Sequence, residues 1–580
     1  MPEKHPLPTA IVLASLLVAL LAVKAAAEAR PATGNIYQYA GECVTLRDNL
    51  SHGYLVRDWF GYSVQLLTGG GTPLRMQATG LGSYLLYAPD GGMPAAGGLG
   101  GVFSIQQPGP KADWLLSGDD AGLQLTNVSS GLNLSVTWWG GLNQSPWPSA
   151  RWSIERAHGC ATFPEVEVNV EGNPESWPQR GGAVRGFLDA HVHITAFEFI
   201  GGRFHCGRPW SRYGVTAALK DCPDHAPDGR FAIAENLLSH GTLSATHSIK
   251  GWPDFDGWPR YYSLTHEGTY WKGVERAWRG GLRVLVADLV ENRALCEIYW
   301  LKQNPCTDME SLRLQARDLY DLQDYIDAQF KGPGKGFFRI VKSPAEGRAA
   351  INAGKLAVVM GVETSQPFDC LYKDGVELCS HEQIDSGLQE MWDWGVRSLF
   401  PVHKFDNAFG GTTMDGGATG ILVNIGNFWA TGRWWDLEPC STNESDHSPA
   451  GPAGPTCNVR GLTALGEYLV NQMIDKGMIV ETDHLSVKGR GRVLDILESR
   501  NYSGVITSHS WGDDTSRVRI QALGGVVSPY ANTATTFIRE WQNARSTQSP
   551  SFLWELASAP IPTDSARRRL RGRVPRPTIR

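Results

Sequence analysis

A chain of 580 residues is too long for one ordinary hydrophobic core, so two or more domains are expected. Its 42% apolar and 19% charged content describes a folded protein and excludes a disordered one. A formal net charge of −6 argues against nucleic acid as the main partner.

The first residues carry a targeting pattern. Lys4 and His5 precede an apolar run from Ile11 to Val23, and Ala25, Ala26, Ala27 and Ala29 follow. This order of basic, apolar and small residues predicts a signal peptide over residues 1–29 and a secreted or periplasmic protein. The run is shorter than the roughly 20 apolar residues that a bilayer crossing needs, so no stable membrane span is expected. Ten cysteines agree with export, because disulfides persist in oxidising compartments. Neighbour spacing pairs Cys206 with Cys222, Cys296 with Cys306, Cys370 with Cys379, and Cys440 with Cys457. Cys43 and Cys160 remain and bracket a separate N-terminal region. Free buried thiols are the alternative, since spacing alone does not fix connectivity.

From residue 35 to 162 short β-like runs alternate with Gly, Asp, Asn and Pro, for example Ser83 to Tyr87, Leu123 to Thr126 and Leu132 to Val136. Many short strands with turn chemistry between them predict a small all-β domain, a barrel, trefoil or sandwich. Trp138, Trp139 and Trp147 read as core or edge residues, with sugar stacking as the minority reading. Residues 163–180, which include Pro164, Pro174 and Pro178, read as a linker.

From residue 181 to 545 strands and helices alternate. Strand-like runs cover Gly186 to Ile194, Arg283 to Asp288, Leu356 to Glu363, Val396 to Val402, Met478 to Thr482, Val505 to His509 and Gly525 to Tyr530. Helical spacing lies between them, as in Met309 to Phe330 with its stripe of Leu312, Leu319, Leu322 and Ile326. Near-continuous apolar strands joined by helices predict a parallel sheet, most economically a (β/α) TIM-type barrel. His191 and His193 lie two apart on the first strand and so share a face. Glu363, His403, His484 and His509 each fall at or just past the end of a later strand, where such a barrel places its chemistry. Neutral imidazoles with a carboxylate suit divalent metal ions, zinc above all.

This order of residues resembles the amidohydrolase superfamily of metal-dependent hydrolases, in particular its membrane dipeptidase-like branch. The likeness rests on Gly361-Val362-Glu363, on Leu399 to Asn407 around His403, on Asp483-His484-Leu485-Ser486 and on Thr507-Ser508-His509-Ser510. It implies one metal on His191, His193 and Glu363, and a second on Glu363, His484 and His509. Glu363 would bridge the two, and His403 would bind or polarise the substrate carbonyl. Cofactors are thus two divalent ions, expected to be zinc, and the partner is a small-molecule or peptide-like substrate. The branch usually has His-x-Asp on its first strand where this chain has His-x-His. The family also places an aspartate after strand eight, and neither that strand nor that aspartate is found.

Two insertions depart from a minimal barrel. One, between the first two strands, holds His205, His225, His240, His247 and His266, which lack strand spacing and read as loop residues. The other, Gly410 to Pro455, carries Trp429, Trp434 and Trp435 and reads as a lid or aromatic wall, or as a disulfide-clamped surface loop. Residues 546–580 read as an atypical basic tail, with Arg567, Arg568, Arg569, Arg571 and Arg573. Arg- and Pro-rich sequence where strand eight belongs predicts a truncated or frame-shifted version of a longer enzyme. Asp513 and Asp514, on the loop after His509, are the substitutes expected for the missing aspartate, ahead of Asp189, Asp483 and Asp564. The function read from sequence is a secreted binuclear hydrolase of amide, peptide or ester bonds. The alternative is a catalytically impaired barrel acting as a binding module for a ligand or carbohydrate. Nothing in the sequence specifies an oligomeric state.

Overall fold

The computed structural model describes residues 35–558 except 60, 67–68, 120–121, 148–149, 173, 175–183, 221, 256–264, 442–443, 448–454, 510, 530–532 and 547–556. The expected signal peptide, Asp564 and the arginines after Ala566 lie outside the described residues. The chain divides into two compact units, one reaching to Phe163 and including Ala328–Lys335, the other running from Pro164 to Asp327 and from Gly336 onward.

In the first unit six antiparallel strands close into a ring. Cys43–Asp48 pairs with Leu74–Gly80, which pairs with Ser83–Tyr87. Ser83–Tyr87 pairs with Asp113–Asp119, that strand with Gly122–Asn127, and Trp152–Arg156 joins Gly122–Asn127 back to Cys43–Asp48. A hairpin follows each odd member of the ring: Tyr54–Asp58 with Gly61–Gln65, Met93–Ala96 with Val102–Ile105, and Asn133–Val136 with Leu142–Ser145. Closure removes the exposed edges that a sheet otherwise presents, and it excludes the two-sheet sandwich expected as an alternative. Alternate residues of each strand point inward, so Leu46, Met76, Leu86, Trp114, Leu125 and Trp152 fill the interior, all buried. The Cys43–Cys160 disulfide joins the first strand to the residues just past the last, with Cα atoms 5.6 Å apart. Trp138, Trp139 and Trp147 are exposed rather than in the core, because they sit in turns beyond the alternating strand positions.

The second unit is built on a parallel sheet. We label its strands β1 (Phe187–Val192), β2 (Leu282–Glu291), β3 (Leu356–Thr364), β4 (Val396–Leu399), β5 (Ile479–Glu481), β6 (Val505–Thr507), β7 (Val526–Val527) and β8 (Ala557–Ser558). Their order is β8-β1-β2-β3-β4-β5-β6-β7, and Phe338–Ile340 pairs in parallel with the start of β3. Helices Trp271–Arg279, Pro344–Asn352, His381–Trp394, Ala464–Asp475, Val487–Ser499, Asp514–Ala522 and Ala534–Ser546 precede β2 to β8 in turn. Ser343, Ser380, Thr463, Ser486 and Asp513 cap five of these helices by accepting a first-turn backbone N–H. Each such cap satisfies a donor that the helix itself leaves unpaired. In a flat sheet with strands about 4.8 Å apart, β1 and β6 would lie roughly 24 Å from one another. The rings of His191, on β1, and His509, two residues past β6, are 4.2 Å apart, so the sheet curls round on itself.

Strand β8 corrects the assignment of residues 546–580 to a tail alone. Leu188 and Asp189 of β1 pair in parallel with Ala557 and Ser558. Two residues carry no readable periodicity, which is why the strand escapes sequence reasoning. The expected linker is also not free of contacts at its start, since the Tyr270 hydroxyl donates to Glu165 at 3.0 Å. All five expected disulfides are present. No described helix is long and apolar enough to cross a membrane.

Candidate metal centre

The curl brings the ends of β1, β3, β5 and β6 to one point, and Glu363 stands at its middle. Glu363 Oε2 faces β1, 3.1 Å from His193 Nε2 and 3.5 Å from His191 Nε2. Glu363 Oε1 faces the other way, 2.8 Å from His484 Nε2, 3.3 Å from His509 Nε2 and 3.4 Å from His403 Nε2. One carboxylate therefore serves two imidazole pairs, a separate oxygen to each. The ligand atoms of His191, His193 and Glu363 lie within 4.8 Å of one another, and so do those of Glu363, His484 and His509. His403 touches the carboxylate but belongs to neither triad. Glu363, His191 and His484 are buried, while the side chain of His193 is 30% exposed and marks the open side.

The rings are held from behind. Asp288 Oδ2, on β2, lies 3.0 Å from His191 Nδ1, and the Asp288 carbonyl oxygen lies 2.9 Å from His193 Nδ1. Both contacts leave the Nε2 atoms turned toward Glu363, and the two Nε2 atoms are 3.0 Å apart. A Cβ at Gly361 would fall on Asp288 Oδ1, so only glycine at that place on β3 leaves room for this carboxylate. On the β5 side His484 has φ +65°, a left-handed backbone that a histidine adopts at a cost. Thr413 N–H holds it by donating to its carbonyl at 2.7 Å. Asp483 accepts the Thr507 hydroxyl at 2.7 Å and the His509 N–H at 2.5 Å, tying β5 to β6 behind the two histidines. Phe400 packs beneath His191 and His484, at 5.7 and 5.8 Å between ring centroids. Trp511 stacks on His509 at 5.0 Å and forms the aromatic wall beside the cluster.

Burial and the single carboxylate set the charges. Burial would raise the Glu363 carboxyl, but the surrounding imidazoles outweigh it and hold it well below the usual range. Burial pushes His403 down to about 3 and His484 well below the ordinary histidine value. His509 is lowered by burial and by His191. Burial alone would do the same to His191, but Glu363 and Asp288 overcome it and raise that imidazole well above its usual value. At neutral pH the His403, His484 and His509 rings are therefore uncharged, and a cation entering beside His191 displaces a proton. Neutral imidazoles around an ionised carboxylate form a donor set suited to zinc-class divalent ions.

All six expected residues of the centre thus come together. Asp513 and Asp514 do not. Asp513 accepts the Ser516 N–H as a helix cap, and Asp514 is exposed and paired with Arg517. Sequence reasoning passed over Trp511, and it read Asp288 only as the end of a strand and Gly361 only as part of the run into Glu363. Asp288 was legible in principle, as a carboxylate closing an otherwise apolar strand. Among the histidines of the first insertion, His225, His247 and His266 gather elsewhere and His240 is exposed. Of the tryptophans in the second insertion, Trp429 and Trp434 are exposed, and Trp435 is buried.

No family model matches the chain, and no curated protein matches it. Similar solved structures include dipeptidase AC, a metallopeptidase of family M19, 14% identical over 51% of this chain and 81% of that one, with a TM-score of 0.31. An amidohydrolase from Pseudomonas aeruginosa is 14% identical over 49% of this chain and 68% of that one, with a TM-score of 0.29. An endo-β-galactosidase from Clostridium perfringens that releases GlcNAcα1-4Gal is 13% identical over 20% and 33%, with a TM-score of 0.19. Likeness at this level assigns neither fold family nor activity, so the chemistry rests on the site itself.

Proposed function

We propose that the chain is a secreted metal-dependent hydrolase of the amidohydrolase type, acting on an amide, peptide or ester bond of a small-molecule or peptide-like substrate. The observation that carries this reading is the division of Glu363, one oxygen toward His191 and His193 and the other toward His484 and His509. Two divalent ions, zinc by donor type, would be held by these residues and would supply Lewis acidity and a water acidified toward neutral pH.

The remaining work falls to the protein. Glu363 offsets positive charge from a buried position between the two imidazole pairs. Asp288 fixes the tautomer and the angle of His191, and its carbonyl does the same for His193. His403, kept neutral by burial, can offer a hydrogen bond to a substrate carbonyl without adding a charge. Phe400 and Trp511 flank the cluster with apolar surface that strengthens the electrostatics inside it. On this reading the curled sheet is a (β/α) barrel, with β8 closing against β1. The ring with three hairpins in the first unit is a trefoil. Five disulfides fit an oxidising compartment.

A second reading, a barrel that binds without turnover, draws on the proton acceptor. Asp513 and Asp514 are committed to a helix cap and an exposed ion pair, and Asp564 lies outside the described residues. The two readings are separated by assaying zinc-loaded protein against a panel of dipeptides, N-acyl amino acids and esters. Chelator-sensitive hydrolysis, restored by zinc and lost in Glu363→Gln, supports the first. Saturable binding of the same compounds without hydrolysis supports the second.

A further inference from the structure

Away from the central cluster, the insertion between β1 and β2 draws three more histidines together. The rings of His225, His247 and His266 are mutually perpendicular, at interplanar angles of 87–90°, and their centroids lie 5.0–5.5 Å apart. His225 Nδ1 and His247 Nε2 are 3.4 Å apart. Two nitrogens on one tetrahedral zinc, each about 2.0–2.1 Å from it, lie about 3.3–3.4 Å from each other. The central cluster offers an internal comparison, because His484 and His509 have centroids 5.0 Å apart at 89°. Beside them, the ligand atoms of Cys206, Cys222, His225 and His266 all lie within 4.8 Å of one another, and the two sulfurs are joined in a disulfide, which leaves imidazoles as the donors. We propose that the insertion carries a separate metal site, a zinc-class divalent ion held by His225 and His266 and, through its 3.4 Å approach to His225, by His247.

The backbone prearranges this set. Cys206 N–H donates to the Thr265 carbonyl at 2.7 Å, and Glu267 N–H donates to the Cys206 carbonyl at 2.9 Å, which places His266 beside the Cys206–Cys222 disulfide. His225 closes a short turn begun by Cys222, and His247 N–H donates to the Asp228 carbonyl at 2.9 Å. The outer side of His266 is supported too. Its Nδ1 lies 3.3 Å from the Thr265 hydroxyl, which donates to Glu235 at 2.7 Å. Those contacts hold the His266 ring from behind, the pattern by which metal-binding histidines are oriented. His225 also lines a cavity of about 210 Å³ with Glu235, Phe204, Tyr299 and Trp300. An ion has a way in from there, and its fourth position would fall to water or to a group in that cavity.

The test is metal counting on the purified full chain after zinc loading and removal of free metal. The His225→Ala/His247→Ala variant should hold one ion fewer than the parent, whatever the central cluster holds. A His191→Ala/His193→Ala/His484→Ala variant should keep the ion of the insertion, so failure here and failure of the hydrolase centre are read separately. Should the double variant not fold, His247→Ala alone, at the most exposed of the three, should weaken retention of that ion at least tenfold. Equal metal content in parent and variants overturns the proposal. Cobalt substitution supplies a second readout. An imidazole-only visible spectrum supports the site, whereas a thiolate-to-cobalt charge-transfer band with two titratable thiols would show Cys206 and Cys222 as ligands and overturn the all-histidine set.

Discussion

Replacing Asp288 with Asn tests how the centre is held. The Asp288 carboxylate sits 3.0 Å from His191 Nδ1 and is, after Glu363, the second charge that raises that imidazole. Asn keeps the shape and one acceptor but removes the charge. Loss of such outer support costs about 10–100-fold in metal affinity, or about 1.4–2.7 kcal/mol. One effect opposes this. Without Asp288 the proton on His191 is held less tightly and competes less with the metal. Proton competition fades as pH rises, so the loss of affinity should be larger at about pH 9 than at about pH 6. The assay is competition for zinc between the protein and a chromophoric chelator at both pH values. Unchanged affinity at the higher pH would refute the positioning role of Asp288.

Gly361→Ala should reproduce the Asp288→Asn defect, because its new Cβ displaces the same carboxylate; the chelator competition reads it directly. Cys43→Ser/Cys160→Ser opens a loop with a sequence separation of 117, worth about 4–5 kcal/mol in the chain-entropy model, and should lower the denaturation midpoint of the β unit. Glu291 is buried, and burial and then Asp308 raise its carboxyl to about 8. The folded state therefore keeps a proton that the unfolded chain gives up, so this contribution is whole below about pH 4.5 and is lost as pH rises through about 8. Glu291→Gln, which cannot ionise, should gain stability on the parent by roughly 4–5 kcal/mol between acid and mildly alkaline pH, as read by urea denaturation.

The centre was legible because its signal is local. His-x-His on a strand shares a face by geometry alone, and Glu363, His403, His484 and His509 each end an apolar run. The disulfides followed from neighbour spacing for the same reason. What escaped was whatever depends on the curl of the sheet. Asp288 matters because β2 lies beside β1, and Gly361 because β3 lies beside β2. Strand β8 is two residues long and is recognised by its partner rather than by its own pattern. Trp511 and the three insertion histidines sit in loops, where spacing carries no direction. The exposed Trp138, Trp139 and Trp147 erred in the opposite sense, since aromatic character predicts burial only where the alternation of a strand continues.

The central claim is that one carboxylate serves two metal sites. Crystals of the zinc-loaded chain, measured on both sides of the zinc absorption edge, test it most directly. The account predicts two anomalous peaks about 3.5–4 Å apart flanking the Glu363 side chain, one against His191 and His193 and the other against His484 and His509. A single peak there, or two peaks of which one does not touch Glu363, would contradict it.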